Sequence, residues 1–98
     1  MTTARVRVLV YVAAPGGGAD AVTDAYHDIS RALAGTPGLL GNELLRSVRD
    51  PAAFAVMSEW EDLAAFQEWE NGPGHRPATA PLREYGTGFQ VYQVTAAY

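Results

Sequence analysis

The residues with the clearest chemical potential fall in one stretch, SEWEDLAAFQEWENGPGHRP, which runs from Ser58 to Pro77. It contains both tryptophans, Trp60 and Trp69, and it ends with His75 beside Arg76. Indole rings line apolar ligand sites, an imidazole exchanges protons near neutral pH, and a guanidinium binds anionic oxygen. Together these side chains would suit a cleft that binds an aromatic molecule and removes a proton from it.

Each of these residues also has a purely structural interpretation, and the sequence leaves both open. The tryptophans could form a packed aromatic core, and His75 could be a surface histidine in a proline-bounded loop. Other polar residues give weaker signals. His27 falls on the polar side of a predicted helix, and the loop Pro15–Gly18 lacks the glycine spacing of a phosphate site. The spacing of the two histidines predicts no metal site.

The composition limits the classes of protein to consider. The 98 residues predict one domain over 1–98, with a single core that any pocket must share. The net charge is −4, and the seven basic residues, all arginines, are scattered, so we expect no nucleic-acid partner. The apolar N-terminal run is short and interrupted by arginines, which predicts no membrane anchor. The absence of cysteine fits a reducing compartment, and we expect a cytoplasmic protein.

Hydrophobic periodicity predicts the elements that position the site. Residues Ala4–Ala13 alternate with valines on one face, which is typical of a strand, and residues Asp20–Ala34 have the apolar spacing of a helix. Leu39–Val48 and Phe54–Trp60 are predicted to form a hairpin. A helix capped by Asp62 should follow and end near Asn71. Prolines then predict broken turns up to Leu82, and Phe89–Tyr98 alternates as a final strand.

This β-α-β-β-α-β order predicts a ferredoxin-like, split βαβ fold of the α+β class, with helices on one face of an antiparallel sheet. The other face has no helix to cover its apolar residues. Two copies packed through that face would form a dimeric α+β barrel, so we expect a homodimer.

Several motifs resemble the antibiotic biosynthesis monooxygenase family over about the whole chain. They are Pro37-Gly38-Leu39-Leu40-Gly41, Glu43-Leu44-Leu45-Arg46-Ser47, Asp50-Pro51, Ser58-Glu59-Trp60-Glu61, Ala65-Phe66, Trp69-Glu70 and His75-Arg76. The resemblance implies a dimeric α+β barrel built from ferredoxin-like subunits.

Two branches of that family imply different chemistry. Trp60 matches a strand-end tryptophan of the cofactor-independent oxygenases that oxidise anthrone-type phenols to quinones. Phe66 falls where those oxygenases can carry a tyrosine, and Val56 replaces a strand asparagine. In the haem-degrading branch, a helix tryptophan matches Trp69, but Thr79 occupies the place of the iron-ligating histidine and the first-strand asparagine has no counterpart.

The resemblance and the residues together predict a small monooxygenase that tailors an aromatic polyketide without a cofactor, using molecular oxygen as co-substrate. We rank haem degradation below this function, and we keep a polyketide cyclase or isomerase and a non-catalytic ligand-binding dimer as further alternatives. The predicted catalytic residues are His75, Arg76 and Trp60. The predicted substrate-binding residues are Tyr11, Tyr26, Phe54, Val56, Phe66, Trp69 and Tyr85.

Overall fold

The computed structural model describes residues 4–16 and 18–98; Gly17, in the predicted glycine loop, lies outside them. A four-stranded antiparallel sheet, in the order β2-β3-β1-β4, carries helices on one face. The predicted ferredoxin-like α+β class is confirmed. The elements are β1 Val6–Ala13, α1 Ala19–Leu33, β2 Leu39–Arg46, β3 Ala53–Trp60, α2 Leu63–Glu70, α3 His75–Arg83 and β4 Gly86–Gln93.

Strand β1 lies inside the sheet, between β3 and β4. Its valines point to the helix side as the alternation predicts, and Val6, Val8 and Val12 are buried. Across the antiparallel pair, Val6 lies opposite Trp60, and Val8 lies opposite Ser58. Because directly opposed residues share a face, the register carries the helix-side residues of β3 onto the same surface as the valines.

Helix α1 packs its apolar stripe onto this surface. Val22, Ile29 and Leu33 recur at helical spacing and are buried, which confirms the predicted amphipathic helix. The same core cluster contains Val12 from β1 and Leu82 from α3. In residues 4–16 and 18–98 no helix is long and apolar enough to cross a bilayer.

The prediction of broken turns up to Leu82 is wrong, because His75–Arg83 forms helix α3. Pro77 falls in the first turn, where a backbone N–H has no acceptor within the helix. Pro81 removes one N–H donor to the carbonyl of Pro77, and Pro77 is exposed so that water can replace the lost bond. Burial of Leu82 against α1 then stabilises a helix that proline content alone argues against.

Three predicted boundaries also move. Strand β4 is Gly86–Gln93 and not Phe89–Tyr98, because its length is set by pairing with β1 from Val12 to Val6. Its first residues, Gly-Thr-Gly, have low strand propensity, which hides the true start. Strand β2 ends at Arg46 and not at Val48, because the chain turns there into the hairpin.

Candidate active site

A cavity of about 340 Å³ lies between the helix side of the sheet and the helices. Most of its wall is apolar, with Val8, Val10 and Val56 from the sheet and Ile29 from α1. Phe89 on β4 also lines the cavity and remains 57% exposed. The cavity therefore has the size and apolar lining of a small-molecule site, with an exposed wall along the sheet edge.

An aromatic wall forms where β3 meets α2. Trp60 is fully buried, and its ring centroid lies 5.2 Å from that of Trp69 and 5.6 Å from that of Phe66. Helix α2 begins where the Asp62 side chain accepts a hydrogen bond from the backbone N–H of Ala65 at 2.7 Å. This capping confirms the predicted start of α2 and brings Phe66 and Trp69 over the end of β3. The expectation that both indoles reach one cavity is confirmed.

By helical spacing Leu63 falls on the face of α2 that carries Phe66 and Trp69, yet it does not line the cavity. It is the first residue of the helix and is 42% exposed. The cavity wall therefore begins one turn later than the apolar pattern indicates.

The indole of Trp60 has a fixed hydrogen-bond partner. Its Nε1–H donates to the Ser58 hydroxyl at 2.9 Å. Ser58 lies two residues earlier on the same face of β3, where it also lines the cavity. A buried indole N–H needs such an acceptor, so Ser58 fixes the tilt of the ring that forms the end wall.

The ionisable side chains of the cavity come from α2 and α3. His75 lies against Trp69, with ring centroids 4.6 Å apart and the planes at 88°, and Arg76, Arg83 and Glu70 line the same cavity. The Arg83 guanidinium donates to the Arg76 carbonyl at 2.9 Å, which holds it along α3.

Burial lowers the pKa of His75 below 6.5. Glu70 opposes this shift in the pKa, while the positive charges of Arg83 and Arg76 add to it. The imidazole is therefore neutral near neutral pH and able to accept a proton.

A second polar group lines the cavity from β2. Asn42 Oδ1 accepts hydrogen bonds from the Tyr26 hydroxyl at 2.6 Å and from the Ser30 hydroxyl at 3.0 Å. Both donors lie on α1, one helical turn apart. Helix α1 thus fixes the orientation of an amide at the cavity wall.

The structure brings six of the ten predicted site residues to the cavity, and their chemical roles stay predictions. These six are His75, Arg76, Trp60, Val56, Phe66 and Trp69.

The other four predicted site residues do not line the cavity. Tyr11 alternates with the buried valines and lies on the opposite face of the sheet. Phe54 shares the cavity face but is buried in the core at the far end of β3, with the Arg46 guanidinium over its ring. Tyr85 packs against the core cluster, and Tyr26 reaches the cavity only through Asn42.

Five polar cavity residues are not among the residues predicted for the site: Asn42, Ser58, Glu70, Thr79 and Arg83. Arg83 comes directly after the segment in which prolines predict turns, so its place on a helix was hidden. Asn42 was hidden because the pattern of β2 is irregular, although its spacing from Leu44 gives the face. Strand alternation puts Ser58 on the face of Trp60, but the sequence alone assigns it no role.

The described residues offer few ligands for a metal ion or a haem group. Residues 4–16 and 18–98 contain no cluster of three metal-ligating side chains. His75 is the only imidazole among the described cavity residues and is the one side chain suited to a haem iron. Thr79, at the place of a family iron ligand, donates its hydroxyl to the His75 carbonyl at 2.9 Å. The cavity therefore offers a haem iron one ligand, His75, which lies one turn of α3 before Thr79.

Comparison with known proteins gives one family and several relatives. A family model described as antibiotic biosynthesis monooxygenase matches residues 5–80. Protein SchA of Streptomyces halstedii is 34% identical over 92 residues, which cover 92% of this chain and 24% of SchA. The heme oxygenase (mycobilin-producing) of Mycobacterium tuberculosis is 35% identical over 68 residues, 63% of this chain and 65% of that relative.

Among solved structures, SnoaB, a cofactor-independent oxygenase from Streptomyces nogalater, superposes with a TM-score of 0.83. The two sequences are 19% identical, and the match covers 97% of both chains, so the likeness shows the shared fold. The chain spans 24% of the length of SchA and 20% of that of a 42.8 kDa protein in the whiE locus of Streptomyces coelicolor.

Proposed function

The chain belongs to the antibiotic biosynthesis monooxygenase family, and on that premise we propose that it is a cofactor-independent oxygenase of an aromatic polyketide. The substrate is a phenol or anthrone, and the product is a quinone. The observation that carries the proposal is the apolar, tryptophan-walled cavity, which has a neutral imidazole and two guanidinium groups among its lining side chains.

Substrate binding follows from the shape and lining of the cavity. Fused aromatic rings are flat and apolar, and they would pack against Trp60 and Trp69 with offset or edge contacts. The guanidinium groups of Arg76 and Arg83 would bind ionised oxygen atoms of the substrate. Burying the rings excludes water from the reacting carbon.

The proposed reaction converts a methylene carbon and one O2 into a carbonyl and one water. Loss of the first proton forms an enolate, which gives one electron to O2, and the substrate radical and superoxide then join through a C–O bond. Protonation gives a hydroperoxide. Loss of the second proton from the same carbon, with cleavage of the O–O bond, leaves the carbonyl and hydroxide, which takes up that proton to become water.

The side chains of the cavity would supply proton transfer and charge stabilisation. His75 would take the first proton, because its lowered pKa keeps the imidazole neutral near neutral pH. Arg76 and Arg83 would stabilise the enolate oxygen that forms in the same step. Trp60, held by Ser58, would keep the ring plane in position.

Oxygen uptake tests this function directly. With 1,8-dihydroxyanthrone as substrate, we expect the purified protein to consume one O2 for each quinone formed, above the background autoxidation. His75→Ala should lower the rate about 100-fold or more, the usual contribution of general-base catalysis. Substrate consumption without O2 uptake would indicate a cyclase or isomerase and contradict the oxygenase. Binding without any turnover would leave a ligand-binding protein.

Haem degradation is the second candidate function, and the presence of His75 in the cavity wall is the observation that favours it. Titration of the protein with haemin tests it. A Soret band that saturates at one haem per chain, and that His75→Ala abolishes, would favour this function over oxidation of a polyketide.

We also propose that two copies of the chain associate through the face of the sheet that carries no helix. Leu9, Ala55 and Met57 lie at its centre, on the two inner strands, and Tyr11 and Tyr92 extend it. The ion pairs of Glu59 with Arg5 and Arg7 lie on the same face, nearer one end. An apolar centre of this kind suits a self-complementary interface between sheets.

The cytoplasmic location expected from the lack of cysteine is also part of the proposed function.

A further inference from the structure

We propose that Asn42 and Ser58 form a hydrogen-bond donor site for a carbonyl or phenolate oxygen of the ligand. They occupy the sheet wall of the cavity, whereas His75 and Arg76 come from α3. The identification of that oxygen with a substrate atom rests on the proposed function. The donor geometry itself rests only on the described contacts.

The orientation of the Asn42 amide is set by helix α1. An amide oxygen has two lone pairs, and here both are occupied, by the Tyr26 hydroxyl at 2.6 Å and the Ser30 hydroxyl at 3.0 Å. The planar amide then presents its Nδ2–H2 group away from those two hydroxyls. Within residues 4–16 and 18–98, Nδ2 has no hydrogen-bond acceptor. Since Asn42 lines the cavity, this group is a donor available to a bound molecule.

Ser58 places a second donor beside the first. Asn42 and Ser58 are directly opposed across the β2–β3 pair, so their side chains are neighbours on the cavity face. The Ser58 oxygen already accepts the Trp60 indole N–H, and in the described part of the chain its own proton has no acceptor. Both oxygens therefore already accept hydrogen bonds from within the chain, and in its described part the protons of the pair have no acceptor.

Donors on an otherwise apolar wall select the ligand. Val8, Val10 and Val56 surround this part of the sheet and offer no polar atoms from their side chains. An oxygen-bearing ring that satisfies the two donors gains hydrogen bonds that a hydrocarbon of the same shape cannot form. The oxygen also fixes which carbon of the ring system faces the α3 residues. The site would thus determine both ligand preference and orientation.

The test compares two ligands of one ring skeleton: 1-tetralone, an aromatic ketone, and tetralin, the hydrocarbon. Affinities are measured by NMR titration of wild type and of Asn42→Asp, which keeps the oxygen that Tyr26 and Ser30 contact and removes the amide donor. At about pH 8, where an aspartate is ionised, ketone affinity should fall about 3- to 10-fold, as for one or more lost hydrogen bonds, with tetralin affinity unchanged.

A pH series separates this role from a purely structural one. Protonation of the new carboxyl group creates an O–H donor, so the ketone preference of Asn42→Asp should recover as pH falls, relative to wild type at each pH. Equal losses for both ligands would overturn the proposal, and so would an unchanged ketone preference. If the variant does not fold, the wild-type protein provides the test. The Asn42 side-chain amide signal should shift with 1-tetralone and not with tetralin, and no shift would overturn the proposal.

The outcome is distinguishable from that of the oxygenase test. If the ketone preference depends on Asn42 but no O2 is consumed, the donor site stands and the oxygenase function fails. If O2 uptake occurs and Asn42→Asp leaves ketone preference and quinone formation unchanged, the oxygenase stands and the donor site fails.

Discussion

His75 has the environment required of a base that works near neutral pH. Its ring packs edge-on against Trp69, and burial is the largest cause that lowers its pKa. The neighbouring arginines lower the pKa further by repelling a second positive charge, while Glu70 opposes them. The same arginines would stabilise the enolate. They would therefore favour the neutral form of His75 before proton transfer and offset the negative charge that the transfer leaves on the substrate.

This environment predicts the pH dependence of the reaction. The rate constant kcat/KM should rise with pH to a plateau, with a midpoint below the ordinary histidine value of 6.5, because only neutral His75 accepts the proton. Steady-state O2 uptake between about pH 5 and about pH 8 measures it. Replacing the exposed histidine of α1, His27→Gln, should keep the inflection, and His75→Gln should remove it. A profile shared by wild type and His75→Gln would contradict His75 as the base.

The same shift has a consequence for stability. Unfolded chains bind a proton at His75 near pH 6.5, while the folded state does so only at lower pH. The free energy of unfolding should therefore decrease as pH falls below 6.5 toward the folded-state pKa, and above 6.5 the group contributes no pH dependence. Urea unfolding of wild type and His75→Gln across this range measures the effect. The variant should lose less stability on acidification, and an equal loss would contradict a lowered pKa.

Trp60 depends on a single hydroxyl to satisfy its buried indole. Ser58→Ala should lower the free energy of unfolding by about 1–3 kcal/mol, because it leaves a buried N–H without an acceptor. Urea unfolding monitored by tryptophan fluorescence measures the change. The double variant Ser58→Ala/Trp60→Phe removes both partners, so the Ser58 substitution should cost much less in a Trp60→Phe background. Equal costs in the two backgrounds would show that the hydrogen bond adds no stability.

At the scale of elements, one turn couples the start of β2 to the start of α2. Gly38 has φ +81°, and its carbonyl accepts a hydrogen bond from the Glu61 N–H at 2.8 Å. A Cβ at this position would collide with the Ala65 side chain. The turn at Pro37-Gly38 therefore sets how closely α2, with Phe66 and Trp69, approaches the sheet.

Gly38→Ala should lower the free energy of unfolding by more than the ~1–2 kcal/mol of a left-handed non-glycine residue, because the collision with Ala65 adds to the strain. Chemical denaturation measures the loss, and α2 should move enough to weaken ligand binding. Gly35→Ala is the matched control, because Gly35 has φ +82° but open space around it. If both variants lose the same stability, the contact with α2 is not what requires glycine.

The elements differ in how well the sequence predicts them, for physical reasons. Strand β1 and helix α1 have regular apolar spacing, and their local patterns agree with the packing that buries them. Helix α3 contains two prolines, and its stability comes from contacts with α1 that are distant in sequence. The start of β4 also depends on a contact that is distant in sequence, since Gly86 pairs with Val12 despite its low strand propensity.

The site residues differ in the same way, because some follow from local patterns and others from contacts that are distant in sequence. Local patterns were sufficient to place Trp60, Phe66 and Trp69 on facing elements. The polar parts were harder, because Asn42 becomes significant only through hydroxyls from another element, and Arg83 only once α3 exists. Residue type alone predicts Tyr11 for the cavity, although the alternation of β1 already places it on the other face.

The same sheet forms both the wall of the cavity and the face that no helix covers. On β3, Val56, Ser58 and Trp60 face the cavity, and the alternate residues Ala55, Met57 and Glu59 face the other side. Because the side-chain period of a strand is two, the cavity floor and the uncovered face are formed by alternate residues of the same strands. Covering that face with a second copy would therefore support strand β3, which carries Trp60 and Ser58.

The oligomeric state in solution tests this surface. Leu9 lies at the centre of the uncovered face, opposite Met57 on β3 and Gln90 on β4. We expect light scattering after size exclusion to give the mass of two chains for wild type and of one chain for Leu9→Glu, because the interface would have to bury an unpaired charge. Val48→Glu, which adds the same charge at a fully exposed apolar residue in the β2–β3 turn, should remain a dimer. A monomeric wild-type protein at micromolar concentration would contradict the dimer. A dimer that Leu9→Glu leaves intact would show that the chains associate through another surface.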